Sequence, residues 1–112
     1  MEKTLPDCPV ETTLMLISDK WKLLIIRDLL DGKKRFGELK KSVGKISQKI
    51  LTADLRSMEK DGLLSRKVFA EMPPRVEYTL TPAGLSLKSV IEAMSNWGQY
   101  YQKNLSANKS GK

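Results

Sequence analysis

Gln48, Lys49, Thr52 and Arg56 carry an amide, an ammonium, a hydroxyl and a guanidinium within one short stretch. These groups hydrogen-bond to base edges in a DNA major groove or clamp its phosphates. At 100° per residue, with Gln48 at 0°, Gln48, Lys49, Thr52, Arg56 and Lys60 fall between about 0° and 120°, while Ile50, Leu51, Leu55 and Met58 fall between about 200° and 340°. The spacing predicts a helix from Ser47 to about Lys60 whose apolar face docks on Phe36, Leu39 and a central helix and whose polar face points outward. Ser47 is placed to cap it and, as a second role, to donate to a phosphate. A solvated face in a protein-interaction domain would give the same wheel, so the surrounding elements must decide.

Phe36, Leu39 and Val43 form one stripe of a short preceding helix, and Gly44-Lys45-Ile46 breaks the chain between the two. The pattern is helix, tight turn, helix. Upstream, Val10, Leu14 and Ile17 mark a first helix, and Lys20 to Leu30 is apolar nearly all round, the signature of a central helix stopped at Asp31-Gly32. Downstream, Leu64 to Phe69 and Arg75 to Leu80 read as two strands joined by a proline-stiffened tip at Pro73-Pro74. Thr81-Pro82 then opens a long last helix to about Asn104, with Leu87, Ile91, Met94, Gly98, Tyr101 and Leu105 at alternating four- and three-residue spacing.

The chain has 112 residues with 20 Lys+Arg against 13 Asp+Glu, and the excess is local. Residues 1–32 hold 4 basic and 6 acidic side chains, residues 33–67 hold 11 and 4, and residues 68–112 hold 5 and 3. A positive charge packed into one middle segment suits a polyanion, because each cation set on a phosphate releases condensed counterions. Within it, Arg35, Lys45 and the lysines at 33, 34, 40 and 41 are placed to hold phosphates, and Arg66 and Arg75 to contact DNA from the hairpin, Arg75 as a minor-groove or backbone arginine rather than an ordinary exposed strand charge.

No histidine and one cysteine leave neither a zinc ligand set nor a Ser-His-Asp or Cys-His relay. No paired carboxylates, phosphate loop or cofactor fingerprint appears, so an enzyme is not expected, and neither is a cofactor or a metal. No apolar run approaches the roughly 18 residues of a membrane helix, and the first residues do not read as a secretory signal. A cytoplasmic protein is expected, in keeping with a single thiol. That thiol, Cys8, has two readings. Near a helix start with Lys20 and Lys22 in range it has the electropositive setting of an oxidant-sensing cysteine; packed near Trp21 it would be a small hydrophobe.

The terminal helices carry more apolar surface than one small core needs. Val10, Leu14 and Ile17 at one end, and Leu87, Ile91, Met94, Trp97 and Tyr101 at the other, are expected to pair with a second copy. The same Met94, Trp97, Tyr100 and Tyr101 could instead line a small-molecule pocket at the junction.

Taken in order, Cys8-Pro9-Val10-Glu11, Lys20-Trp21-Lys22, Arg35-Phe36-Gly37-Glu38-Leu39, Ile46-Ser47-Gln48-Lys49 with Leu51-Thr52, Leu55-Arg56, Asp61-Gly62-Leu63, Pro73-Pro74-Arg75-Val76-Glu77-Tyr78 and Leu80-Thr81 with Gly84 resemble the HxlR-type helix-turn-helix regulators. The likeness spans about residues 8 to 100. It implies a bacterial-type winged-helix transcription factor, dimeric through its N- and C-terminal helices, that binds operator DNA. Several members of that family sense oxidants or electrophiles through a cysteine at the position of Cys8.

The expectation is therefore a mainly α fold with a β-hairpin wing, one domain over residues 1–105 and a disordered tail over 106–112. Its partners would be double-stranded DNA and a second copy, with no membrane and an effector left open. Two readers in a symmetric dimer require a roughly palindromic operator with half-sites about 34 Å apart, or a multiple of that. The rivals are a winged-helix interaction module binding an acidic partner, and a regulator answering a small molecule at the dimer interface.

Overall fold

The computed structural model describes residues 4–110, with side chains through residue 105. Helix α1 (Pro9–Ile17) starts on a proline at its first turn, where a missing N–H costs nothing. Helix α2 (Lys20–Leu29) is capped by Asp19, whose Oδ1 accepts the N–H groups of Trp21 at 2.8 Å and Lys22 at 3.0 Å. It is the central helix expected: Ile25, Ile26 and Leu29 are buried, and α1, the helix pair and the last helix all pack on it.

Gly32 then turns the chain at φ 134°, a region that L side chains avoid. Strand β1 (Lys34–Arg35) follows, a two-residue element that the basic run did not announce. Helix α3 (Phe36–Val43) begins where the Glu38 carboxylate accepts the Arg35 N–H at 2.8 Å. Gly44, at φ 115°, makes the turn into helix α4 (Gln48–Lys60), where Ser47 Oγ accepts the Ile50 N–H at 3.1 Å. Strands β2 (Leu64–Phe69) and β3 (Arg75–Leu80) pair antiparallel from Leu64↔Leu80 to Phe69↔Arg75, and β1 pairs with the other edge of β3, giving the order β1-β3-β2. This is the winged helix-turn-helix architecture, mainly α with a β-hairpin wing.

The core is made by Ile25, Ile26, Leu39, Leu51, Leu55, Met58 and Leu64, all fully buried, each contributing roughly 1.5–3 kcal/mol of transfer free energy. Residues from α2, α3, α4 and β2 thus meet in one cluster, which fixes the helix pair relative to the wing.

Three sequence expectations change. The single long helix from Pro82 is two: a short α5 (Pro82–Leu85), then α6 (Lys88–Ser110). The break has a local cause. Thr81 Oγ1 donates to the Gly62 carbonyl and Thr81 N–H to the Leu63 carbonyl, pinning the first turn against the α4–β2 corner. The chain then re-aims through a Leu87 N–H to Gly84 O bond of 3.1 Å so that Leu87 and Ile91 pack on the core. The α6 backbone carries on to Ser110, past the expected end at Asn104; the rest of the expected tail, and side chains from 106 onward, lie outside the described residues. Second, Ile50 is not on the docking face but 43 % exposed, because the buried arc of α4 is narrower, formed by Leu51, Asp54, Leu55 and Met58. Third, Ile17 is buried, and Leu87 and Ile91 are half-buried, in this chain's own core, so only part of the expected partner-facing set is free.

Candidate nucleic-acid interface

On α4 the alternation of buried and free positions is clean. Leu51, Leu55 and Met58 anchor the helix while Gln48, Lys49 and Arg56 stand in solvent and Thr52 is half-buried at the edge. An α-helix presented this way fits the major groove, with side chains from its first two turns reaching base edges. Ser47 is exposed at the helix start with its Oγ engaged as the cap. Lys45 in the turn and Arg35 ahead of α3 are exposed, as are Lys40 and Lys41 on α3. The structure brings the cationic set to the helix pair and the wing.

What holds α4 on α2 is polar as well as apolar. Lys22 Nζ donates to Ser57 Oγ at 3.2 Å across the two helices. Asp54, buried on α4, faces Asp19, and burial together with that carboxyl raises its pKa to about 6 against the opposing pull of Lys22. Its Oδ2 is buried with no hydrogen-bond partner among the described residues, which makes the charged form costly there. The sequence reading passed over Asp54, although its wheel position lies inside the apolar arc.

The wing differs in detail from expectation. Arg75 is not presented as a free arginine: its guanidinium lies 3.9 Å over the Phe69 ring, Nη1 is 2.7 Å from Glu71 and Nε is 3.3 Å from Glu77. Glu77 also meets Lys33 at 3.5 Å, tying β3 to the approach to β1. Arg66 and Lys67 on β2 remain exposed, Arg66 in a loose 3.8 Å pair with Glu59. Tyr78, opposite Arg66, is buried with its phenol raised above the usual value by burial, and it faces Arg66, Glu59 and Arg56 of α4. In the strand Arg75 to Leu80, Val76, Tyr78 and Leu80 alternate with Arg75, Glu77 and Thr79, but nothing local shows that Tyr78 would lie beside the outer stripe of α4.

Cys8 is exposed at the N-cap of α1, making no capping bond through its side chain. It is therefore not the packed hydrophobe. Lys20 and Lys22 are turned elsewhere, Lys20 over the Trp21 ring at 4.5 Å and Lys22 to Ser57. Of the expected partner-facing residues, Val10, Leu14, Met94, Trp97 and Tyr101 are exposed, the last two stacked at 5.2 Å. No helix of the described residues is long and apolar enough to cross a membrane.

The HxlR-like helix-turn-helix family profile matches residues 16–106. The HTH-type transcriptional regulator YdeP of Bacillus subtilis is 48 % identical over 98 residues, 88 % of this chain and 77 % of that protein. Among solved structures, the redox regulator HypR in its reduced form superposes with a TM-score of 0.82 at 40 % identity, covering 89 % of this chain and 99 % of that one. The reduced transcriptional regulator YodB of B. subtilis gives 0.74 at 37 %, covering 86 % and 95 %. These relatives are regulators and not enzymes. With the resemblance seen residue by residue now matched along the chain and in the fold, the protein belongs to the HxlR-like helix-turn-helix family and is a transcriptional regulator.

Proposed function

We propose that the chain acts in the cytoplasm as a homodimer on a roughly palindromic operator, laying α4 of each copy in a major groove with the wing alongside. One observation carries the reading: Gln48, Lys49 and Arg56 are exposed on the same helix whose Leu51, Leu55 and Met58 are sealed in the core. The groups that can read DNA are thus held rigidly without being needed for folding. Lys49→Ala and Arg56→Ala are expected to weaken binding to the DNA flanking the protein's own gene by about 1–3 kcal/mol each. The thermal midpoint should stay within a few degrees of wild type, as for exposed positions generally. Mutants that unfold early yet shift DNA normally would overturn the assignment of α4.

The second copy is supported by Val10, Leu14, Met94, Trp97 and Tyr101, apolar and exposed on the two terminal helices. Burying them between two chains would set the distance between the paired α4 helices, and that distance decides whether both half-sites can be filled at once. Cys8 stands at the N-cap of one of those terminal helices, so oxidation or cross-linking there would retilt the readers. The fold shared with HypR, named a redox regulator, supports a thiol signal. Cys8→Ser should bind DNA normally and keep hold of it under peroxide or diamide in a mobility-shift assay. Release by the mutant at wild-type oxidant levels would remove the thiol from the mechanism.

A further inference from the structure

Between the outer stripe of α4 and the wing lies a cleft of about 320 Å³ into which Thr52, Arg56, Glu59, Arg66 and Tyr78 project. Phe36 and Leu55 also line it, and Thr52, Arg56 and Glu59 belong to the same outer stripe of α4 as Gln48. Tyr78 is 9 % exposed and lines the cleft from β3, opposite the α4 residues. The groups facing the cleft are chiefly donors: two guanidiniums and two hydroxyls against one carboxylate. Glu59 touches Arg66 only at 3.8 Å, with both side chains nearly half in solvent, a contact too weak to hold Arg66 against a competing anion.

We infer that this cleft seats one phosphate of the DNA backbone per protomer, with the Tyr78 hydroxyl as donor and Arg56 and Arg66 as counter-charges. The inference rests on the DNA-binding reading of α4. A guanine edge offers two acceptors in one plane, whereas a phosphate is all acceptor and can take donors arriving from α4 on one side and the wing on the other, as this lining supplies them. Thr52, Arg56 and Glu59 recur at four and three residues along the same stripe as Gln48, so the strand bordering the occupied groove passes the mouth of the cleft. Seating a phosphate there pins α4 and the wing to one strand at once and sets the depth to which α4 enters. Arg66 leaves Glu59 to do so, which makes Glu59 a restraint on affinity.

The test uses a duplex selected from random sequence by the wild-type protein, remade with single methylphosphonate substitutions that remove one backbone charge at a time. Wild type should lose about tenfold in affinity at one phosphate in each half-site beside the α4 contact. Tyr78→Phe should bind the unmodified duplex about tenfold more weakly and lose almost nothing further at that phosphate. Arg66→Gln, at an exposed site, should show the same insensitivity whatever Tyr78→Phe does to folding, and Glu59→Gln should bind more tightly than wild type. Variants that lose as much as wild type at every methylphosphonate, or that bind as tightly, overturn the seat while leaving α4 as the reader. Inorganic phosphate at matched ionic strength should leave the Tyr78 ring resonances unmoved; saturation by phosphate alone assigns the cleft to a free phosphorylated ligand and overturns the backbone assignment. Failure of wild type to enrich any duplex overturns the underlying DNA reading instead.

Discussion

Single residues in this protein divide between those that hold and those that face outward, and Asp54 shows how strict the division is. A carboxyl on the reading helix is turned inward onto Asp19, and it stays protonated more readily than an ordinary aspartate, with a pKa near 6. Because the folded pKa lies above the unfolded 3.8, this group's stabilisation is complete below about pH 4 and fades as pH rises through 6. At neutral pH the pair is a cost. Asp54→Asn, whose amide can donate to Asp19 at any pH, is expected to raise stability by about 1–2 kcal/mol at pH 7.5 and to gain nothing at pH 4. Denaturant melts of both proteins across that range check it; a difference that does not change with pH would mean the two carboxyls do not share a proton. Arg75 teaches the complementary lesson. An arginine near a hairpin tip reads from sequence as a hand reaching for DNA, but Glu71, Glu77 and Phe69 close around it, so its charge stiffens the wing.

At the scale of elements, legibility followed locality. The α3–turn–α4 unit was readable because Gly44 and Ser47 punctuate it and because apolar and polar positions of α4 part on the wheel. The β2–β3 hairpin was readable from alternation and Pro73-Pro74. Strand β1 was not, since Lys34 and Arg35 are extended only through pairing with Tyr78 and Glu77, far along the chain. The α5–α6 break was hidden for a similar reason: the apolar rhythm runs through Leu87 uninterrupted, and only the contact with the α4–β2 corner redirects the backbone. Gly84 makes that contact possible. A Cβ at this position would run into the Leu63 carbonyl oxygen, which belongs to the backbone and cannot swing away. Gly84→Ala should therefore cost about 2–4 kcal/mol by overpacking. Thermal unfolding measures this, and a midpoint equal to wild type would mean that α5 does not bear on the corner. Within the candidate site, the outer-stripe placement of Gln48, Lys49, Thr52 and Arg56 was legible from spacing alone; Glu59 lies on the same stripe but was passed over, and Tyr78 joins it only once the wing folds beside α4.

At the scale of the whole molecule, most of the exposed large apolar side chains lie on the terminal helices and most of the excess positive charge lies in residues 33–67. The cations of residues 33–67 gather on the helix pair and wing, and the exposed apolar side chains of α1 and α6 gather on the terminal helices. A particle built this way has one surface suited to a polyanion and another, apolar and exposed, that the proposed pairing of two copies would cover, and that pairing would fix two α4 helices in a set relation. The most direct test is a hydroxyl-radical footprint on the duplex the protein selects. Two protected patches related by a dyad, about 34 Å apart or a multiple of that and both lost in Arg56→Ala, are the result this account predicts. Protection of a single unpaired patch, or a footprint that Arg56→Ala leaves intact, would contradict it.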